Sequence, residues 1–166
     1  MSKLLRYFQP GQFCFITTIT SNRQRILTNH PHMLLRALRT ARRKSRFRLI
    51  AWVILPDHIH AIIHCPGGDV AEILHRFKLS FSQQWRQRTC MGGPVWQRRY
   101  WDHIIRSQDD FNRHVEYIRC NPVKHGLAGK PQEWFQFSRS HRWWNSAAKV
   151  MRTTGTDSDD TILCGE

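Results

Sequence analysis

Residues 49–64 read LIAWVILPDHIHAIIH, two apolar runs that meet at a Pro-Asp corner, and the second run begins with a His-Ile-His triplet. Successive side chains of a strand point to opposite faces, so His58 and His60 project the same way while Ile59 and Ala61 face a core. Two imidazoles side by side on a strand form a half-site for a divalent metal that needs further ligands from elsewhere. The alternative at this point is a His-rich strand face that meets solvent.

The chain on either side of this stretch alternates between strand-like and helix-like patterns. Apolar spacing and turn residues predict strands at 12–20, 48–55, 59–65 and 96–105 and helices at 31–45, 70–88 and 107–121. Asp69 and Ser107 are the expected helix N-caps, and Pro122 is expected to end the last helix. This order predicts an α+β protein with a ferredoxin-like antiparallel sheet, helices on one face and the His-x-His strand near the centre.

The charge of the chain is strongly positive and unevenly distributed. Among 166 residues, 26 are Lys or Arg and 12 are Asp or Glu, which gives a net charge of +14. Residues 1–145 hold 24 of the bases and 8 of the acids, so we interpret them as one basic domain and residues 146–166 as a polar, mobile tail. A domain this basic indicates a polyanionic partner, most simply nucleic acid.

Several classes of protein are disfavoured by composition. No apolar run approaches the ~20 residues of a membrane span, and the first residues lack an apolar signal region, which favours a cytoplasmic location. The five cysteines are odd in number, widely spaced and without a Cys-x-x-Cys pair, which argues against a disulfide framework or a zinc ribbon. A zinc site from His58, His60, His64 and Cys65 is also disfavoured, because His64 lies ~13 Å along the strand from His60.

Two groups of arginines are candidate DNA contacts. The helix predicted at 31–45 has a cationic outer face without an acidic residue, which favours phosphate contact over a merely solvated surface. A second pair lies in the aromatic segment after residue 95, where rings beside arginine can stack bases, although such a segment can equally be half core. The candidates are Arg36, Arg39, Arg42, Arg43, Arg98 and Arg99.

The predicted helix at 107–121 carries a possible nucleophile and a possible ligand one turn apart. Tyr117 and Asn121 are four residues apart and therefore neighbours on one helical face. A phenol is protonated at neutral pH and needs activation before its oxygen can attack a phosphodiester. An ion held by two imidazoles and an amide carbonyl can polarise that phosphate. Taken alone, a helical tyrosine can equally be a packing or surface residue.

Three blocks of sequence together resemble the REP-associated tyrosine transposases, a single-tyrosine branch of the HUH nucleases. The blocks are PDHIH at 56–60, WQRRYWDH at 96–103 and YIRCNPVKHGL at 117–127, and the resemblance covers roughly residues 5–145. It implies an HUH endonuclease fold and an enzyme that cleaves and rejoins single-stranded DNA at hairpins of repetitive extragenic palindromes (REP). The expected partner is single-stranded or hairpin DNA, bound by a monomer or a homodimer.

The resemblance also implies roles for individual residues. His58 and His60 match the metal ligands, and Tyr117 matches the nucleophile that forms a 5′-phosphotyrosine. Related transposases place a Gln four residues after the tyrosine as the third ligand, and Asn121, one methylene shorter, stands there in this chain. The implied ion is Mg²⁺ or Mn²⁺. The alternative function is a non-catalytic nucleic-acid-binding regulator that keeps the fold.

Overall fold

The strand that carries the His-x-His triplet, His58–His64 (β3), is the central strand of a five-stranded antiparallel sheet. The computed structural model describes residues 9–67 and 69–140. The other strands are Phe13–Ile19 (β1), Arg48–Ile54 (β2), Trp101–Ile105 (β4) and Ser138–Ser140 (β5), and the helices are Pro31–Lys44 (α1), Val70–Thr89 (α2) and Gln108–Lys124 (α3). The strand order is β4-β1-β3-β2-β5, which makes β4 one edge of the sheet. The predicted α+β class and the central place of the His-x-His strand are confirmed.

Both faces of the sheet are covered, whereas the sequence predicted helices on one face. Ile16 of β1 and Ala61 of β3 pack with Ile73 of α2, and α1 joins α2 on this side. The opposite side, with Phe15 of β1, packs against Phe111 of α3. The expectation therefore holds for α1 and α2 and is wrong for α3. The physical reason lies in β3, where the first six residues are buried, so both faces of this strand need a cover.

The last helix ends three residues later than predicted, because Pro122 does not end it. The proline lies inside α3, near its end, where it removes one backbone donor, and the helix continues to Lys124. Gly126 then adopts φ +63°, and the N–H groups of Gly126 and Leu127 donate to the carbonyls of Val123 and Pro122. This Schellman motif, rather than the proline, ends the helix. At the other end, Ser107 accepts from the N–H of Asp110, as the predicted N-cap requires.

The edge strand β4 is shorter than the predicted strand at 96–105. Trp96 forms only an isolated bridge with Thr20, and Gln97 donates its N–H to the carbonyl of Ile19. Residues 97–100 then leave the sheet, and the ammonium group of Lys78 on α2 donates to the carbonyl of Gln97. The aromatic segment therefore joins the sheet to α2 before β4 begins at Trp101.

Within the described residues, no helix is both long and apolar enough to cross a lipid bilayer. The predicted boundary between a domain at 1–145 and a tail at 146–166 falls outside those residues.

Candidate active site

The two histidines of the triplet lie next to each other on the face of the sheet that α3 covers. Their ring centroids are 4.9 Å apart, and both residues are buried, with 5% exposure for His58 and 4% for His60. His60 is paired across the sheet with Thr17 of β1 and with Val53 of β2. The solvent-facing alternative for this strand face is therefore wrong.

Each histidine has one ring nitrogen engaged by a neighbouring side chain. Nδ1 of His58 donates to Oδ1 of Asp57 at 2.6 Å, and the other oxygen of that carboxylate accepts from Arg23 at 3.2 Å. Nδ1 of His60 lies 2.7 Å from the hydroxyl of Thr17. These bonds fix the orientation of both rings and leave the two Nε2 atoms as the possible ligand atoms, an arrangement common in metal-binding histidines.

Helix α3 and its C-cap residue, His125, place side chains one turn apart against the histidine pair. The ring of Tyr117 contacts that of His60, with centroids 5.1 Å apart, and the ring of His125 contacts that of His58 at 5.0 Å. Asn121 lies midway between these two residues along the helix, four positions from each, and is 1% exposed. The structure thus brings the predicted nucleophile, Tyr117, against the predicted histidine ligands, and the predicted third ligand, Asn121, follows one helical turn after Tyr117.

Two polar atoms in this arrangement are buried and unpartnered. Among the described residues, Nε2 of His60 and Oδ1 of Asn121 have no hydrogen-bond partner. An imidazole nitrogen and an amide oxygen are both ordinary ligands of divalent cations, and a buried acceptor without a partner costs free energy unless something binds it. The residues present therefore fit a divalent metal ion.

The electrostatics of the pair suit ligation by neutral imidazoles. Burial, followed by the neighbouring His58 and His125, lowers the pKa of His60 to about 3. Burial likewise lowers the pKa of His125. Burial alone would raise the pKa of the Asp57 carboxyl, but the hydrogen bond from His58 and the nearby Arg23 hold it below its usual value. At neutral pH His60 is uncharged, the form in which imidazole binds metals.

Tyr117 is far more accessible than His58, His60 and Asn121. Tyr117 is 38% exposed, and its ring meets the ring of Phe15 edge-on, with centroids 5.9 Å apart. The ammonium group of Lys124 lies 5.2 Å from the centre of the same ring. The phenol is thus held at the edge of the buried histidine pair, where a long polymeric substrate can approach it and where a cation is close by.

A second polar cluster on this face was not anticipated from the sequence. Asp110 accepts from Nε2 of His103 at 2.8 Å and from the backbone N–H of Arg106 at 3.1 Å, and one of its oxygens is 3.0 Å from Nδ1 of His114. Potential ligand atoms of His103, Asp110 and His114 all lie within 4.8 Å of one another. The i, i+4 spacing of Asp110 and His114 could have indicated their contact, but the place of His103 depends on the β4–α3 turn.

The geometry of this cluster suits hydrogen bonding to one carboxylate better than shared ligation of one ion. The imidazoles of His103 and His114 are stacked, with an angle of 18° between planes and centroids 4.8 Å apart. A nitrogen lone pair lies in the plane of its ring, so two stacked rings point poorly at one ion between them. Burial alone would raise the pKa of Asp110, but the hydrogen bonds from His103 and His114 hold it far below its usual value.

The arginines predicted to bind DNA lie outside this face. The four on α1 are exposed, and α1 covers the opposite side of the sheet from Tyr117. Arg98 and Arg99 are exposed in the segment before β4. The structure also disfavours the zinc alternative, because the ring of His64 packs against Phe13 and Cys65 lies in the apolar cluster on the other face.

A buried histidine pair beside a helical tyrosine, on an antiparallel sheet within a basic chain, defines the class of HUH-type DNA-processing enzymes. A family model described as "Transposase IS200 like" matches residues 13–121. The chain is 36% identical over 149 residues to the REP-associated tyrosine transposase of Escherichia coli (strain K12), a match that spans 86% of this chain and 84% of that protein. The chain belongs to the IS200-like transposases and, within them, to the REP-associated tyrosine transposases.

Two further comparisons point to the same family. A putative REP-associated tyrosine transposase of Haemophilus influenzae (strain ATCC 51907 / DSM 11121 / KW20 / Rd) is 31% identical over 154 residues, with 86% of this chain and 87% of that protein covered. A solved structure of a REP-associated tyrosine transposase bound to a REP hairpin superposes with a TM-score of 0.77 at 32% identity, and covers 100% of this chain and 98% of that one. The family, together with the unpartnered Nε2 of His60 and Oδ1 of Asn121, indicates a divalent metal ion.

Proposed function

We propose that this protein is a metal-dependent single-strand endonuclease and strand transferase that cleaves and rejoins DNA at REP hairpins through a 5′-phosphotyrosine on Tyr117. The observation that carries the proposal is the contact between the accessible Tyr117 ring and the buried ring of His60, 5.1 Å apart by centroids. The REP hairpin enters as the substrate because a relative of known structure is described as bound to one. A DNA substrate agrees with a cytoplasmic location.

The proposed metal ligands are Nε2 of His58, Nε2 of His60 and Oδ1 of Asn121, with Mg²⁺ or Mn²⁺ as the ion. The last two of these atoms are the ones that have no partner among the described residues. When bound, the ion would polarise the scissile phosphate and offset the negative charge that builds on its oxygens. Asp57 and Thr17, which hold the two Nδ1 atoms, fix the orientation of the histidine rings.

The covalent step belongs to Tyr117. The phenol loses its proton to solvent, its Oη forms a bond to phosphorus, and the bond from phosphorus to the 3′ oxygen breaks. That oxygen takes up a proton and leaves as a 3′-hydroxyl, while the 5′ end stays on the protein. Attack by a 3′-hydroxyl on the phosphotyrosine reverses the step, so rejoining needs no nucleotide cofactor. The positive charge of Lys124, close to the Tyr117 ring, favours the approach of the phosphate.

One pair of proteins tests the proposal. Wild type is expected to form a covalent protein–DNA adduct with a REP-type hairpin in Mg²⁺ or Mn²⁺, detected on a denaturing gel. Tyr117→Phe is expected to bind the hairpin as wild type does but to form no adduct, because only the hydroxyl is removed. Adduct formation by Tyr117→Phe would overturn the assignment of the nucleophile.

The control is Asn112→Ala, which removes a polar side chain from α3 five residues before Tyr117 and is expected to leave adduct formation intact. Hairpin binding by wild type without any adduct, in either metal, would instead support the non-catalytic regulator.

A further inference from the structure

A basic cleft of about 300 Å³ lies between α2 and the segment that precedes β4. Its polar and aromatic lining comes from residues that can bind an anion or stack on a base: His75, Lys78, Arg86, Arg98 and Tyr100. None of the described residues that line it is acidic. A concave surface with three cationic side chains, no acidic one and an aromatic ring fits a phosphate joined to a planar ring.

Lys78 is the residue that most clearly marks this cleft as a binding site. Its side chain is half-buried, and its ammonium group lies 5.8 Å from the Tyr100 ring centre and 6.0 Å from that of Trp96. The same group donates a hydrogen bond to the backbone carbonyl of Gln97 at 3.2 Å. Burial lowers the pKa of Lys78 to about 8, because the described lining offers no carboxylate to offset the loss of water. A bound phosphate would supply that missing negative charge.

The position of the cleft connects it to the candidate active site around the edge of the sheet. Tyr100 lines the cleft, and the next residue, Trp101, begins β4 on the other face, where it is 49% exposed. The ring of Trp101 meets Phe15 at 5.6 Å between centroids, and Phe15 in turn meets Tyr117 at 5.9 Å. Because β4 is an edge strand, an extended polymer can pass over it without crossing the sheet.

We propose that this cleft binds one unpaired nucleotide of the DNA strand that leads over β4 to Tyr117. Lys78, Arg86 and Arg98 contact its phosphate, and its base lies against Tyr100. Arg86 already donates to the carbonyl of Gly93, and a guanidinium has five N–H donors, so a second acceptor can bind it. Trp101 is the next stacking surface along the same path. The inference rests on the proposed function for the identity of the polymer and adds a subsite to it.

The test compares two oligonucleotides that differ only in the unpaired nucleotides. One is a REP-type hairpin alone, and the other is the same hairpin with single-stranded flanks on both sides. Dissociation constants are measured with a chelator present, so that no cleavage takes place. Lys78→Met, which keeps the aliphatic part of the side chain, and Tyr100→Leu are each expected to weaken binding of the flanked hairpin about tenfold and to leave the bare hairpin unaffected.

The control variant is Lys44→Met, which removes one positive charge from the exposed end of α1 on the same side of the sheet. It is expected to change both affinities equally. Unchanged binding of the flanked hairpin by Lys78→Met and Tyr100→Leu would overturn the proposal, and so would an equal loss for the two oligonucleotides. Adduct formation by wild type is measured separately, so failure of the nuclease assignment is distinguishable from failure of the subsite.

A second measurement uses the unmodified protein and does not depend on how a variant folds. Flanks that carry a photoreactive thymidine are irradiated in the complex, and the crosslinked peptide is sequenced by mass spectrometry. The proposal predicts crosslinks to Tyr100 or Trp101 from neighbouring flank positions. Crosslinks that map only to other parts of the chain would overturn it.

Discussion

Asn121 is the residue on which the metal proposal depends most. Its amide is almost completely buried, and its oxygen has no partner among the described residues. Leaving a buried acceptor unpaired costs about 1–3 kcal/mol, so an acceptor in this position is best explained by a ligand that it binds. The backbone carbonyl of Asn121 is already used by the N–H of His125, which leaves the side chain to serve the site.

Asn121→Ala is expected to lower cleavage by about 10- to 100-fold at limiting metal, the range seen when groups that support a metal site are removed. Binding of the hairpin should change little, because Asn121 is too buried to contact DNA. A titration of Mn²⁺ against the rate of adduct formation checks this. The control is Asn112→Ala on the same helix, which should need no extra metal. An unchanged metal requirement in Asn121→Ala would count against ligation by this residue.

For individual residues, the sequence predicted the candidate ligands and the candidate nucleophile, but it did not predict the side chains that orient them. The His-x-His spacing and the four-residue interval from Tyr117 to Asn121 are local patterns, readable from the chain. Thr17 orients His60 only because β1 and β3 pair in one register, and a change of one residue would put the threonine on the other face. Such cross-strand partners depend on tertiary pairing, which a single sequence does not specify.

Helix α3 is the element that carries Tyr117, and its start is anchored by Asp110. Asp110→Asn is expected to lower the free energy of unfolding by about 3 kcal/mol at neutral pH, because a buried carboxylate that accepts several hydrogen bonds is replaced by a neutral amide. Chemical denaturation measures the loss. Asp109→Asn, an exposed neighbour in the same first turn, is the control and should cost far less.

The same pair of variants gives a dependence on pH. The pKa of Asp110 is lowered in the folded protein, so its contribution is present above the ordinary pKa of a carboxyl group. It is lost as the pH falls below that value, because the unfolded chain takes up a proton that the folded chain does not. The difference between wild type and Asp110→Asn should therefore shrink in acid. A difference that stayed constant down to the acid limit of folding would contradict this account of the cluster.

Among the elements, the helix N-caps were the features best predicted from the sequence. The end of α3 after Pro122 and the start of β4 after Trp96 were the least well predicted. Asp69 accepts from the N–H of Glu72 at 2.8 Å, as its place before an apolar stripe indicates. Pro122 was expected to stop α3, but a proline near a helix end removes only one hydrogen bond, and the Schellman motif at Gly126 sets the true end. The segment after Trp96 reads as a strand, yet its contacts with α2 override that tendency.

The positive charge of the whole molecule lies on both sides of the sheet. The predicted DNA contacts on α1 are on the side away from Tyr117, whereas Lys124 is on the Tyr117 side. If α1 contacts the hairpin, replacing Arg36, Arg39, Arg42 and Arg43 by Gln should weaken binding and lower the dependence on salt. Each phosphate contact to a duplex contributes about 0.9 to the slope of log K against log salt concentration.

The measurement is the affinity of the quadruple variant for the hairpin across a series of salt concentrations. The fraction of bound DNA that becomes covalently attached should stay as in wild type, because α1 and Tyr117 lie on opposite faces of the sheet. An unchanged salt slope would remove α1 from the DNA-binding surface. The charge count in the sequence predicts a nucleic-acid partner, but it does not predict on which face each charge lies.

The arrangement of the two faces was the main feature of the whole molecule that the sequence did not predict. The order of elements indicated an antiparallel sheet with helices, which is what the structure has. The place of α3 on the second face follows from the burial of β3 on both sides. The polar histidines in the pattern of β3 concealed this burial from the sequence. A strand with alternating histidines reads as half-exposed unless a second layer is known to cover it.

The most direct test of the central claim is to identify the residue that becomes attached to DNA. Wild-type protein is incubated with a flanked REP-type hairpin and Mn²⁺, the DNA is digested, and the peptides are sequenced by mass spectrometry. The account predicts a nucleotide joined through its 5′ phosphate to Tyr117, and no such peptide when a chelator is added or when His60 is replaced by Ala. A protein that binds the hairpin but gives no modified peptide, or an adduct on a different residue, would contradict it.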